Sequence, residues 1–274
     1  MVQLAEYIIR MPTLESPVPP YIEEKHGWHV FRNSGCIGAI DGSHYNLRAP
    51  GELARVYRNR KGWLSFNVCA VCDFHGRFCY IFPGWEGSAN DQKVFNDAIS
   101  KDLNIPEGTY LLADAGYASQ ARLLTPFRGT RYHLQEWSTS SRKPETPNEL
   151  YNLRHSGFRM VIERTFGAHK GSYRILTGGP RFGVVSMNAI IRATAALHNW
   201  RIDYGDVESG VDIELPEPPP ERPTQLGHRD KEGGDNGYWG QKRVALAQAS
   251  WDEYRENAQR KKKKKSFVDI PVLS

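Results

Sequence analysis

The feature that most constrains the fold of this chain is an alternation of apolar, β-rich runs with amphipathic stretches between residues 35 and 206. Proline and glycine mark the joints between these segments, as they do between the strands and helices of a folded domain. The runs SFNVCAVCD and RFCYIFPGW are separated only by FHG, which predicts an antiparallel hairpin with a glycine-containing turn. The alternation therefore predicts one α/β domain. The predicted strands cover residues 36–47, 65–73, 77–85 and 109–118, and the predicted helices cover residues 88–103, 147–170 and 186–200.

The composition changes abruptly beyond Asp206. The stretch ELPEPPPERP is rich in proline and acid and cannot build a core, so we interpret it as part of a linker. A short helix is predicted from Gln241 to Arg260, and it leads into six consecutive basic residues, Arg260 through Lys265. We expect this C-terminal tail to be disordered apart from that helix. The predicted divisions are a short N-terminal segment (1–34), an α/β domain (35–206), a linker (207–240) and a basic tail (241–274).

The net positive charge lies before the linker. The chain has 36 basic and 31 acidic residues, and residues 207–274 contain 12 of each, so the whole net charge of +5 belongs to residues 1–206. Of the 24 basic residues there, 18 are arginine, whose planar guanidinium suits forked contact with phosphate oxygens. This modest excess suits an anionic partner such as nucleic acid, but arginine-rich surfaces are also common in proteins that bind no nucleic acid.

The cysteine count and the sorting signals of the sequence indicate in which cellular compartment the protein is expected. Four cysteines in 274 residues are too few for a disulfide framework, which favours a reducing environment. No apolar run approaches the roughly 20 residues that cross a bilayer, and the opening residues lack the pattern of a signal peptide. The basic run Arg260–Lys265 is typical of a nuclear import signal or of nonspecific phosphate contact, so we expect a nuclear protein, the alternative being a solvated tail.

Three acidic residues stand inside apolar segments of the domain. Asp41 follows CIGAI, Asp114 follows YLLA, and Glu163 lies within the predicted helix that begins near residue 147. An ionised carboxylate in such a place is unfavourable unless it is paired or bound to a cation. Glycines one or two positions after Asp41 and Asp114 predict sharp turns, which would leave both carboxylates at the rim of the sheet. Only tertiary folding brings the three together.

Three converging carboxylates without a cluster of histidine or cysteine form the donor set that Mg²⁺ or Mn²⁺ prefers. Two such ions would support phosphoryl transfer, because one activates a water or hydroxyl and the other stabilises the leaving oxygen. Taken singly, each acid has a simpler interpretation. Asp41 and Asp114 fit turn residues, and Glu163 fits the ion-pair partner of a neighbouring arginine.

The segments around these acids resemble those of the Harbinger (PIF) transposases and of the nucleases derived from them. Six motifs occur in the expected order between residues 36 and 200, which is far more specific than any one of them. The resemblance implies an RNase H-like domain, a mixed sheet flanked by helices, in which Asp41, Asp114 and Glu163 bind divalent metal and cut DNA. The motifs are CIGAIDGSHYNLRAP, YRNRKGWLSFNVCAVCDFHGRF, GWEGSANDQKVF, LLADAGYA, YNLRHSGFRMVIERTFGAHKGSYRIL and ALHN.

The chain departs from the family pattern in two places. Near the triad, Ser43 stands where threonine is more usual and Ala115 where serine is common, and neither change removes a ligand. Only about 35 residues precede the first predicted strand, where the family normally carries a long helical region that resembles a DNA-binding domain. We therefore expect either a truncated chain or reliance on a separate DNA-binding partner protein, which puts autonomous transposition in doubt.

Asp91, His155 and Arg159 are candidates for an auxiliary role at the site. His155, Arg159 and Glu163 are spaced four apart, so they project from one face of the predicted helix. This spacing would place a proton carrier and a phosphate-binding arginine beside the metal, the alternative being an exposed Arg159–Glu163 ion pair worth under about 1 kcal/mol. Asp91 matches a recurrent acid of the family and is either a fourth site residue or, as its position favours, a residue that caps or braces the following helix.

A basic and aromatic segment before the second predicted strand is a candidate DNA contact. Tyr57 and Trp63 interleave there with basic side chains, a mixture suited to gripping a phosphate backbone and stacking on an exposed base. The same cluster also fits a solvated loop with two core aromatics. The candidate DNA contacts are Arg58, Arg60, Lys61 and Lys170.

The leading hypothesis is a metal-dependent DNA endonuclease that uses two Mg²⁺ or Mn²⁺ ions at an Asp/Asp/Glu site. Hydrolysis follows from the carboxylate chemistry, whereas strand transfer is implied only by the resemblance. A competing hypothesis is a domesticated nuclear module that binds DNA or protein without cutting. An RNase acting on RNA–DNA hybrids would share the metal site and differ only in its substrate.

Overall fold

The structure is a computed structural model that describes residues 2–48, 51–59, 61–118, 120–131, 143–178, 182–205 and 237–268. Most of the predicted linker and the last residues of the predicted tail lie outside these ranges. Among the described residues, no helix has both the length and the apolar character needed to cross a membrane.

Five strands, eight α-helices and one 3₁₀ helix form within the described ranges. Each predicted strand and helix of the domain is present, with different limits in several cases. The strands are β1 (Cys36–Asn46), β2 (Ser65–Cys72), β3 (Phe78–Glu86), β4 (Tyr110–Leu112) and β5 (Leu123–Leu124). The helices are α1 (Val2–Ile8), α2 (Pro20–Glu23), α3 (Trp28–Asn33), α4 (Gly51–Tyr57), α5 (Asp91–Lys101), α6 (Pro147–Ser172), the 3₁₀ helix Arg174–Leu176, α7 (Val184–Asp203) and α8 (Tyr238–Val268).

The strands form one mixed sheet in the order β3-β2-β1-β4-β5. β1, β2 and β3 are antiparallel neighbours, whereas β4 and β5 run parallel to β1. The predicted hairpin between β2 and β3 is confirmed, and Gly76 takes the positive φ of +79° that its turn requires. The mixed sheet with flanking helices confirms the RNase H-like fold class.

Helices cover both faces of this sheet, so the central strands are almost fully buried. All eight side chains of β2 are buried. Cys72 belongs to the core between the sheet and α6, α7 and α8, while Cys69 belongs to the core on the α5 side. The two cysteines therefore point to opposite faces, because residues three apart on a strand lie on different sides, and both are free thiols.

Local sequence signals set where the two helices nearest the acids begin. The Asn90 side chain accepts a hydrogen bond from the Lys93 backbone N–H at 2.8 Å and caps α5. Thr146 accepts from the Glu149 backbone N–H at 3.2 Å and caps α6, with Pro147 as its first residue. These caps position the polar faces of α5 and α6 relative to β1.

The N-terminal segment contributes to the domain core. Trp28 and Phe31 of α3 are fully buried, and both rings contact Phe158 of α6 edge-on, with centroid separations of 5.0 and 5.2 Å. Residues 1–34, which the sequence predicts as a separate short segment, thus include a helix that packs beneath α6.

The C-terminal helix also packs on the domain. It contains the predicted helix from Gln241 to Arg260 and is longer at both ends. Leu246 and Ala247 are buried in the core that α6 lines, while the guanidinium of Arg243 lies 4.3 Å from the centre of the Phe127 ring. The sequence alone predicts a helix within a tail. In the structure, that helix packs against the core of the domain.

A buried ion pair joins α8 to α6. Arg154 Nη1 donates to Glu253 Oε2 at 3.0 Å and to the Ser250 carbonyl at 3.3 Å. Only 5% of the Arg154 side chain is exposed, so the guanidinium depends on these two acceptors. Gly27 leaves room for it, because a Cβ at that position would overlap the guanidinium.

Removing the carboxylate of Glu253 is therefore expected to destabilise the domain. Glu253→Ala leaves Arg154 charged and largely buried with only one carbonyl acceptor, which costs about 3 kcal/mol. Glu256→Ala is the matched control, since Glu256 lies exposed on the same helix and only approaches Arg260 at 3.9 Å. Urea unfolding of the full chain measures both. Equal stability of the two variants would contradict the docking of α8.

Candidate active site

Asp41 lies within β1, not at its end. The strand continues through Asp41 to Asn46 and pairs with β2 along that length, so the sharp turn predicted at Gly42 is wrong. Asp41, Ser43 and Tyr45 alternate with residues of the opposite face and point toward α6. The Asp41 side chain is 17% exposed, and its Oδ1 accepts the Gly42 N–H at 2.8 Å.

Gly42 is required because the Asp91 side chain approaches β1 closely at this position, and not because the chain turns there. A Cβ on Gly42 would overlap the Asp91 carboxylate, which reaches β1 from the first residue of α5. Asp91 Oδ1 also accepts from Asn67 Nδ2 at 2.9 Å, so the acid braces α5 against β2. The structure thus supports the bracing role and also places Asp91 beside the site, while the helix cap itself is Asn90.

Asp114 stands just beyond the end of β4, as predicted. Its Oδ1 accepts the Gly116 N–H at 2.8 Å, and the backbone turns at residues 115–117. Because β4 runs parallel to β1 and pairs with it, Asp114 comes to the Asp41 side of the sheet. The turn that the glycine predicts is present here, although it is absent after Asp41.

Arg159 connects two of the three predicted ligands. Its Nη1 donates to Asp41 Oδ2 at 2.8 Å, and its Nη2 donates to Glu163 one turn later in α6. The Arg159 side chain is only 10% exposed, whereas that of Glu163 is 49% exposed. The predicted Arg159–Glu163 pair therefore exists, but it is partly buried and extends to Asp41.

The electrostatics of Asp41 reflect these neighbours. Burial raises the pKa of Asp41 from 3.8 to about 6, the charge of Arg159 opposes that rise, and the negative charges of Asp114 and Asp91 add to it. Asp114, on the same side of the sheet, and Asp91, which approaches from α5 on the other face, thus both add negative charge around Asp41. Such a concentration of negative charge favours binding of a cation.

The carboxylate oxygens of Asp41, Asp114 and Glu163 are the type of ligand that a hard divalent ion prefers. The side chains of Asp41 and Glu163, however, are directed at Arg159. Within the part of the chain that the structure describes, no three Asp, Glu, His or Cys side chains are gathered into a metal-ligand cluster. Asp41 and Glu163 are instead both paired with Arg159. Asp41, Asp114 and Glu163 are the metal ligands that the sequence predicts.

His155 packs against β5, away from the acids. Its side chain is fully buried, and its Nε2 lies 2.9 Å from the Leu124 carbonyl on β5. Burial lowers the pKa of His155 to about 3, so the ring stays neutral. The helical spacing correctly predicts a shared face, but that face lies against the sheet at His155 and reaches the acids only at Arg159.

Lys170 lies on the same side of the sheet as Asp41. Its Nζ donates to Ser43 Oγ at 2.7 Å and sits 4.6 Å from the centre of the Tyr45 ring. Burial lowers the pKa of Lys170 to about 8, which leaves the ammonium largely protonated at neutral pH. A cation therefore stands two residues along β1 from Asp41, about 7 Å by strand geometry.

The described residues of the basic and aromatic segment before β2 are mostly exposed, and Arg58 pairs with Leu64 in an isolated antiparallel bridge. Lys61 lies 5.6 Å from the Trp63 ring, and Trp63 is 47% exposed. Arg58 is also exposed and donates to the Gly62 carbonyl at 2.6 Å. Tyr57 packs edge-on against Phe66 instead, so one of the two aromatics belongs to the core. The candidate Arg60 lies outside the described residues.

Residues 40–199 match the family described as DDE superfamily endonuclease, a span that includes all three acids. The chain belongs to the DDE superfamily endonucleases. The human "Putative nuclease HARBI1" is 30% identical over 229 residues, which cover 81% of this chain and 61% of the human protein. The Arabidopsis thaliana "Protein ALP1-like" is 29% identical over 190 residues, 62% of this chain and 44% of the plant protein. No solved structure matches the chain significantly.

These relatives confirm the resemblance to Harbinger transposase-derived nucleases. The chain spans about three fifths of the length of the human relative. Membership in the DDE superfamily therefore identifies the domain as a nuclease domain, whereas the activity of the whole protein is addressed as a proposal below. The ligand roles of Asp41, Asp114 and Glu163 stay predictions.

Sequence reasoning missed the contribution of Asn67. This asparagine is buried in β2 and uses its Nδ2 to hold both the Ala89 carbonyl and Asp91 at 2.9 Å. A polar amide inside the apolar run SFNVCAVC is the signal that could have identified it, since a buried amide needs partners.

The contact between Gly42 and Asp91 predicts a coupled pair of substitutions. Gly42→Ala forces the Asp91 carboxylate aside and is expected to cost about 1–3 kcal/mol. Adding Asp91→Ala removes the overlapping group, so the double variant should be more stable than the sum of the single changes by about 1 kcal/mol. Thermal unfolding of all four proteins measures this coupling.

Gly167→Ala in α6 is the control for the glycine substitution. Nothing lies within 4 Å of a Cβ at that position, so this change should stabilise the helix by about 0.5–1 kcal/mol. Strict additivity of Gly42→Ala and Asp91→Ala would contradict the close approach of α5 to β1.

Proposed function

We propose that this protein is a metal-dependent DNA endonuclease whose active site comprises Asp41, Asp114 and Glu163. The observation that carries the proposal is the meeting of β1, the end of β4 and α6 around a partly buried carboxylate group, within a domain of the DDE superfamily. Basic side chains at Arg159 and Lys170 lie on the same side of the sheet. Acids flanked by cations suit a substrate made of phosphodiesters.

The chain's own residues prepare the site in three ways. The Gly42 N–H fixes one oxygen of Asp41, and the Gly116 N–H fixes one oxygen of Asp114. Partial burial strengthens the attraction of these carboxylates for cations, because there is little water to screen them. Two Mg²⁺ or Mn²⁺ ions held by the three acids would supply an activated water and charge neutralisation at the leaving oxygen. Hydrolysis of a phosphodiester to a free 3′ hydroxyl is the proposed reaction.

Strand transfer by that 3′ hydroxyl is a further part of the proposal, supported by the family resemblance alone. The basic run Arg260–Lys265 supports nuclear residence. A separate DNA-binding partner protein would supply target choice, since the phosphate contacts proposed for Arg159 and Lys170 carry no sequence information.

The central test is nicking of supercoiled plasmid in Mg²⁺ or Mn²⁺. Asp41→Asn should reduce nicking to the level seen without divalent ion, because the amide no longer carries the charge that holds the metal. Its oxygen can still accept the Gly42 N–H, so the fold should persist. Asp114→Asn and Glu163→Gln are expected to behave alike.

Asp97→Asn is the matched control, since Asp97 is an acid of α5 that pairs with Lys101 at 2.9 Å. It should nick as the wild type does. Unchanged nicking by Asp41→Asn would overturn the assignment. Wild-type protein that binds DNA, does not nick it and shows no saturable Mn²⁺ binding in calorimetry would instead establish the non-cleaving module. An RNA–DNA hybrid cut in preference to duplex DNA would establish the RNase.

DNA binding should depend on Lys170. Lys170→Gln is expected to weaken binding to duplex DNA and to reduce the slope of log K against log salt by about one unit, as loss of one phosphate contact requires. Fluorescence anisotropy in the absence of divalent ions measures the slope at several salt concentrations. Lys101→Gln, on α5 and paired with Asp97, is the control and should leave the slope unchanged. If Lys170→Gln and Lys101→Gln give the same slope of log K against log salt, Lys170 does not contact a DNA phosphate.

A further inference from the structure

Arg159 is the one cation seen in direct contact with two of the proposed metal ligands among the residues that the structure describes. Its two terminal nitrogens hold different carboxylates, Asp41 from β1 and Glu163 from its own helix. With 10% of its side chain exposed, Arg159 has only limited access to solvent. The negative charges of Asp114 and Asp91 also reach Asp41. The guanidinium therefore provides the positive charge that this group of acids needs in the absence of metal.

We propose that Arg159 exchanges partners during the reaction cycle. Before metal binds, it neutralises Asp41 and Glu163. When a divalent ion takes these carboxylates, the guanidinium transfers to a phosphate of the substrate. This inference rests on the proposed function, and it adds an order to the events at that site.

The exchange follows from competition for the same carboxylates. Asp41 has two carboxylate oxygens, and the Gly42 N–H and Arg159 each occupy one of them. Each of these oxygens keeps a second lone pair, so a metal ion that coordinates Asp41 competes with Arg159 through charge: two cations held by one carboxylate repel each other. The same repulsion applies at Glu163, whose Oε1 accepts from Arg159.

The displaced guanidinium needs a new anion. Leaving an arginine partly buried without a partner is unfavourable, and a phosphate offers two oxygens at the spacing of its planar fork. Arg159 remains one helical turn from Glu163, so it stays beside the acids after release. Metal binding thereby creates the phosphate site, which makes metal and DNA bind cooperatively.

The first test measures Mn²⁺ binding to the full chain by calorimetry without DNA. Arg159→Gln removes the competing cation, so we expect its Mn²⁺ affinity to rise by about fivefold to tenfold over the wild type. Arg159→Lys keeps the charge but not the fork and should fall between the two. Arg174→Gln, an exposed arginine of the 3₁₀ helix after α6, is the control and should match the wild type. Circular dichroism establishes that each variant is folded.

The second test measures duplex DNA binding by anisotropy, with Ca²⁺ replacing Mn²⁺ to limit cleavage. Ca²⁺ should strengthen DNA binding by the wild type, and Arg159→Gln should lose most of that gain even though its metal affinity is higher. A purely structural ion pair predicts the opposite for the metal, because a distorted site binds Mn²⁺ less tightly. Folded Arg159→Gln or Arg159→Lys protein with Mn²⁺ affinity at or below that of the wild type would overturn the exchange.

These outcomes separate the inference from the proposed function. Saturable Mn²⁺ binding by the wild type that is lost in Asp114→Ala supports the metal site, whatever the arginine variants do. If the site is supported and Arg159→Gln gains no affinity, the exchange alone fails. If neither the wild type nor Arg159→Gln binds Mn²⁺, both proposals fail.

Discussion

The site depends on a carboxylate placed inside a sheet that helices cover on both faces. Asp41 belongs to the central strand β1, where a charge would be unfavourable without a counter-charge. Arg159 supplies that charge from α6, across the interface between helix and sheet. The register of α6 on β1 is therefore constrained by an ion pair as well as by apolar packing. The same pair brings Glu163 toward Asp41, because the two helical residues are one turn apart.

The surrounding architecture holds the two partners in place. On one side, Asp91 of α5 lies over Gly42 and is tied to β2 through Asn67. On the other, α8 holds the first half of α6 through the buried Arg154–Glu253 pair. Elements distant in sequence thus support the strand and the helix that carry the acids. A small shift of α5 or α8 would displace the acids, and the function of such a site tolerates little displacement of its charged groups.

Much of the fold follows from local pattern. The strands β1, β2 and β3, the hairpin at Gly76 and the long helix α6 all form where alternation, turn residues and caps predict them. Prediction fails where tertiary contact outweighs local signal. Gly42 resembles a turn residue but serves a close approach by Asp91. His155 has the spacing of a site residue but faces the core.

The sequence by itself determined the fold class and the family and singled out the candidate acids, because strand alternation, helix caps and ordered motifs are all encoded over short stretches. Only the tertiary structure decided which groups face one another. It directed Arg159 at Asp41 as well as at Glu163, buried His155, and packed α8 on the domain. The physical reason is that burial and pairing of charge depend on groups 118 positions apart, such as Arg159 and Asp41, and no local pattern records that contact.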